Sequence, residues 1–119
     1  MHELSIAESM VRIADRHAAG RPVTAVEVKV GHLRQVVPSA LELAFELVAK
    51  GTAVEGAELR MDEVPAAGVC RTCGGKSRFD GFPLACGACG GLDVEVTQGE
   101  ELLVEALELD EREFATSGG

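Results

Sequence analysis

A short segment is written twice in this chain. Cys70-Arg71-Thr72-Cys73-Gly74-Gly75 returns as Cys86-Gly87-Ala88-Cys89-Gly90-Gly91, with twelve residues between Cys73 and Cys86. No other feature limits the fold so strongly. Two cysteines three apart on a tight turn can aim both sulfurs at one point. A glycine after the second lets the chain turn back at positive φ, so that backbone N–H groups approach the thiolates. Two such turns make a closed tetrahedral four-sulfur site, which suits zinc and leaves no open position for catalysis. Residues 68–91 hold all four cysteines and seven of the 14 glycines, with little apolar material, so this segment needs a staple to stay ordered.

Other uses of four cysteines fit less well. Disulfides belong to oxidising compartments. Here the N-terminus, MHELSIAESM, has early acids and no basic region ahead of an apolar run, so it does not read as a signal peptide. No stretch approaches the roughly 20 apolar residues of a membrane span. A cytoplasmic, reducing location is therefore expected. A redox CxxC usually occurs once, beside a βαβ pattern, and not as a matched pair. A single-iron four-cysteine site shares the spacing and stays open as an alternative.

Charge narrows the partners. Eleven Lys+Arg stand against 20 Asp+Glu, a formal net charge of −9. A phosphate track needs the opposite sign. With no Trp, no Tyr and four Phe, the chain also lacks platforms for stacking bases. Within 70–89 the balance is Arg71, Lys76 and Arg78 against Asp80, which is too mild to change that reading.

Outside the cysteine segment the pattern is α+β. Residues 3–19 read as a helix with two adjoining apolar stripes, one of Leu4, Ala7, Val11, Ala14 and Ala18, the other of Ile6, Met10, Ile13 and His17. Gly20 and Pro22 end it. From Val23 to Val30 the residues alternate, with Val26, Val28 and Val30 against Glu27 and Lys29, as in a strand with one wet face. Pro38 suits the first turn of a second helix, whose stripe is Leu41, Ala44, Phe45 and Val48 and whose stop is Gly51. A second strand follows at about 57–64, where Ala57, Leu59 and Met61 alternate with Glu58, Arg60 and Asp62. Residues 102–109 fit helix or strand equally. No Ser/His/Asp set and no phosphate-cradling loop with its Lys-Ser/Thr is present, so a carrier is expected and not an enzyme.

The three histidines differ by position. His17 edges a helix face and His32 sits in a loop. His2 lies beside the α-amine, and its imidazole, that amine and the adjoining amides can close chelate rings on one ion. Such planar, nitrogen-rich sets suit Ni(II) or Cu(II).

Four pieces of sequence carry a family resemblance. They are MHELSIAESM, the VxVGxLxxVxPxALExAFE pattern of Val28–Glu46, CxxC-x12-CxxC, and TQGxEL at Thr97–Leu102. Together they resemble the HypA/HybF family of hydrogenase nickel incorporation proteins, from Met1 to about Leu109. The resemblance implies a small nickel metallochaperone that supplies Ni(II) to [NiFe]-hydrogenase large-subunit precursors with a HypB-type GTPase as partner, and in some members also serves urease. It implies a nickel site at Met1, His2 and Glu3, with His2 the essential ligand and Ni(II) as cargo. It implies a structural Zn(II) on Cys70, Cys73, Cys86 and Cys89. Some members take a further acid from the loop before the second helix. Here that loop, His32–Val37, has none, so the ligand is not carried over and His32 is read as a loop residue.

The implied fold makes 102–109 a strand. It places two helices on a three-stranded sheet, with an inserted zinc-ribbon-like four-cysteine domain. The expected division is 1–65 plus 97–113 for the nickel domain, 66–96 for the zinc domain, and 114–119 for a flexible tail. The rival readings are a zinc-ribbon nucleic-acid or transcription module and a thiol redox protein. Membrane and nucleic-acid partners are not expected.

Overall fold

The structure, a computed structural model, describes residues 2–110. Met1, expected as a nickel ligand, residues 111–113 of the expected nickel domain and the tail expected at 114–119 lie outside the described residues. The element order is α1 (His2–Ala18), β1 (Val23–Gly31), a 3-10 turn (His32–Arg34), α2 (Pro38–Ala49), β2 (Glu58–Val64), β3 (Ala66–Cys70), β4 (Lys76–Phe79), β5 (Val94–Gln98) and β6 (Leu102–Leu109). Two three-stranded sheets result, ordered β2-β1-β6 and β4-β3-β5. The ambiguous stretch at 102–109 is a strand, β6. Gly31 N–H donates to Glu101 and Asp110 N–H to Pro22, so β6 runs antiparallel to β1.

The described residues divide into two compact units. One comprises 2–28, 36–62 and 103–110, the other 29–35 and 63–102. In the first unit, α1 buries Ile6, Ala7, Met10, Val11, Ala14 and Ala18, and α2 buries Leu41, Ala44, Phe45 and Ala49. Val23, Ala25, Val26 and Val28 of β1, with Val54, complete this core. The buried seam of α1 is narrower than its sequence stripes suggest. Leu4 and Ile13, at the two margins, remain 40% and 41% exposed, and His17 is exposed. Two carboxylates lock α1 to the ends of α2. Glu3 Oε2 accepts from Val37 N–H at 3.0 Å, and Asp15 Oδ1 accepts from Ala53 N–H at 2.9 Å. Start meets start and end meets end, so the two helices run parallel. On the polar face of the first sheet, Thr24 Oγ1 donates to Glu108 Oε1 at 3.1 Å, and Arg60 Nη1 donates to Glu108 Oε2 at 3.0 Å. Arg60 also bonds Glu58.

In the second unit β3 is the central strand. It pairs antiparallel with β4 from Ala66↔Phe79 to Val69↔Lys76, and antiparallel with β5 from Ala67↔Gln98 to Cys70↔Val94. Its buried residues between 63 and 102 are small, apart from Phe79. The register at the end of β3 delivers Cys70 to the first cysteine turn.

Candidate metal centre

The two CxxCGG segments fold as the same turn twice. Gly74 N–H donates to Cys70 O at 2.8 Å, and Cys70 N–H donates to Gly75 O at 2.9 Å. The second turn repeats this: Gly90 N–H to Cys86 O at 2.8 Å, and Cys86 N–H to Gly91 O at 2.8 Å. Gly74 and Gly90 take φ of 78° and 76°, the left-handed conformation the sequence calls for. The second glycine of each pair has a different duty. Gly75 N–H donates to Cys73 Sγ and Gly91 N–H to Cys89 Sγ, both at 3.4 Å. A Cβ at either position would stand 3.3 Å from that sulfur, crowding the approach.

The four sulfurs converge. Cys70, Cys73, Cys86 and Cys89 place their Sγ atoms within 4.8 Å of one another. Cys70–Cys89 is 3.7 Å and Cys73–Cys86 is 3.6 Å, both across the two turns. A disulfide would need about 2.05 Å. A regular tetrahedron with Zn–S of about 2.3 Å has edges of about 3.8 Å. The sulfurs are thus set at the spacing a tetrahedral zinc ion requires, and the site is suitable for zinc. Cys70 and Cys86 are buried, whereas Cys73 and Cys89 are exposed.

Electrostatics also call for a cation. Backbone N–H groups of Cys89 and Ala88 hold the Cys86 thiol down to about 6. The Cys73 and Thr72 N–H groups lower Cys70. At Cys73 the Gly75 N–H works in the same direction, but the neighbouring sulfurs of Cys86 and Cys89 overcome it and push the thiol up to about 11. Four thiolates cannot ionise together at such spacing unless a positive ion sits among them.

One brace was not legible in the sequence. Arg71, between the first two cysteines, pairs with Asp93 at 2.9 Å, and its N–H donates to Asp93 O at 2.9 Å. The partners are 22 residues apart, and no local signal links them.

The remaining candidates are scattered. His2 opens α1 and is exposed. The Glu3 carboxylate is already engaged: the Val37 N–H holds it below the usual carboxylate range. Val37 is the N-cap residue of α2 and offers no side-chain cap of its own. The long-range contact therefore satisfies an otherwise open helix-terminal donor. His32 lies exposed in the 3-10 turn. Among the described residues, the four cysteines are the one group of three or more His, Cys, Asp or Glu that could hold an ion.

Fold and site together define a small α+β protein carrying an inserted four-cysteine, zinc-ribbon-like module. The family model described as hydrogenase/urease nickel incorporation, metallochaperone HypA matches residues 1–109. The hydrogenase maturation factor HypA of Geotalea uraniireducens is 44% identical over 110 residues, covering 92% of this chain and 100% of that protein. That of Desulfitobacterium hafniense is 39% identical over 114 residues, covering 93% and 100%. The solution structure of the Ni metallochaperone HypA from Helicobacter pylori shares the fold, with a TM-score of 0.65 at 24% identity over 92% of this chain and 97% of that one. The chain belongs to the HypA family of nickel metallochaperones for hydrogenase maturation.

Proposed function

We propose that this protein carries Ni(II) at its N-terminus and releases it to a [NiFe]-hydrogenase large-subunit precursor, while zinc at Cys70, Cys73, Cys86 and Cys89 serves folding alone. The observation that carries the reading is the separation of donor types. All four thiolates are gathered in one closed site. His2, at the very start of α1, keeps an exposed imidazole. Soft sulfur retains zinc, and nitrogen donors at a chain end favour Ni(II), so ligand softness sorts the two metals.

His2 supplies the imidazole, and Met1 supplies the α-amine. Adjoining amides complete a planar set, Glu3's among them. The Glu3 carboxylate keeps the terminus tethered to α2 through Val37. No rigid cage surrounds the ion, so a partner's ligands can replace these donors one at a time. The protein is a carrier without catalysis of its own. A HypB-type GTPase is the nucleotide-handling partner, since this chain has no phosphate-binding loop. Urease accessory proteins are a second class of client. The setting is the cytoplasm. The division of labour follows the two units, nickel with the helices and zinc with the second sheet.

The test is nickel titration of untagged, zinc-loaded protein. His2→Ala should lose tight nickel binding and retain full zinc. Undiminished nickel affinity in that variant would refute the assignment. Adding residues ahead of Met1 should weaken nickel binding even with His2 intact, because the α-amine is then lost as a ligand.

A further inference from the structure

Among the described residues of its own unit, none covers the outer surface of α2. Of its 12 residues only Ser39, Glu42 and Glu46 are polar. A helix so apolar around its circumference is normally buried on most sides. Yet Leu43 is 58% exposed and Leu47, one turn on, 54%. Val37, at the N-cap, is also exposed. Beside this ridge, a cleft of about 470 Å³ runs between α2 and β2. Its floor includes Phe45, Ala49 and Leu59, and Glu42, Glu46 and Glu58 stand around it. Glu58 is paired with Arg60. Glu42 and Glu46 have no partner among the described residues and no basic residue on their own helix.

We infer that the Leu43–Leu47 ridge and the adjoining Glu42/Glu46 cleft form a docking surface for a cationic amphipathic segment of a partner protein. Its apolar side chains cover the leucines. Its Lys or Arg stems lie on the Phe45 and Ala49 floor, with their charged heads at the carboxylates. Charge decides between this occupant and a second copy of the chain. A two-fold contact through α2 would set Glu42 and Glu46 against their own counterparts, between chains of net charge −9 each. A basic segment meets the same surface with complementary sign. The inference goes beyond the nickel reading and holds wherever nickel binds.

The test uses the full zinc-loaded chain and two synthetic helical peptides, one of Leu and Lys in amphipathic order and one of Leu and Glu in the same order. Fluorescence anisotropy at about 0.15 M salt keeps long-range attraction screened. The Leu/Lys peptide should bind saturably and shift amide resonances of residues 39–59, and the Leu/Glu peptide should not bind. The double variant Leu43→Ser/Leu47→Ser should weaken binding about tenfold or more. Glu42→Gln/Glu46→Gln should weaken it as well, and this arm does not depend on how the leucine variant folds. The control Glu27→Gln/Glu95→Gln removes the same charge elsewhere and should change nothing. Equal weakening by that control, or shifts spread over the whole chain, would reduce the effect to bulk charge and overturn the inference. A dimer in sedimentation that the leucine variant dissociates would give the surface to a second copy, with the same consequence.

Discussion

Removing the metal from the four-sulfur site should unfold residues 63–102 and spare α1 and α2. Between those bounds the one large apolar side chain counted as buried is Phe79, at 7% exposure. Burying one such ring contributes about 1.5–3 kcal/mol. Ordering each residue's backbone costs about 1–2 kcal/mol, and strand pairing returns only part of that. Zinc on four thiolates contributes about 10–16 kcal/mol in small zinc modules. The sulfur spacings of 3.6 and 3.7 Å match a tetrahedral ion, so the folded unit can hold it without distortion and the binding energy goes into folding. Metal binding is therefore the largest stabilising contribution available to this unit. The assay is hydrogen exchange by mass spectrometry, before and after a strong chelator, with the released metal counted. Amides of β3, β4 and β5 should lose protection, while those of α1 and α2 keep theirs. If one equivalent of zinc leaves and the β3–β5 amides stay protected, the ion is not what holds the unit together.

Phe45→Ala should destabilise the helical unit by about 3–5 kcal/mol, because Phe45 is 2% exposed at the centre of α2. Urea unfolding followed by circular dichroism reads this, and zinc content should not change. Acid should weaken the same unit through two carboxyls. Val37 N–H lowers Glu3, and Arg60 and Thr24 lower Glu108. Folding favours the ionised form of both, so their contribution is complete above the usual carboxylate range and is lost as pH falls through the lowered values. Glu3→Gln should flatten part of that dependence; an acid-unfolding curve identical to the parent's would show that the Val37 contact does not hold α1 to α2.

Local signals sufficed where a residue's role depends on its near neighbours. The CxxCGG repeat announced its own turns, and Gly74 and Gly90 adopt the positive φ that such turns need. Alternation at Val26, Val28 and Val30 and the Pro38 start of α2 were equally plain, because strand and helix periods are written within a few residues. Residues 102–109 were different. Their pattern suits either period, and pairing with β1, far off in sequence, makes them a strand.

The sequence by itself marked the donor sets. Four cysteines in two matched turns suit one tetrahedral ion, and a histidine at position 2 has nitrogen donors beside it by covalent connection alone. Only the tertiary structure decided what surrounds those donors. It set Glu3 against the open N–H of Val37, 34 residues away, and Arg71 against Asp93. It also left Leu43 and Leu47 uncovered, where helical periodicity alone would assign them no role. Contacts between distant residues follow from how the elements pack, and no local pattern encodes that.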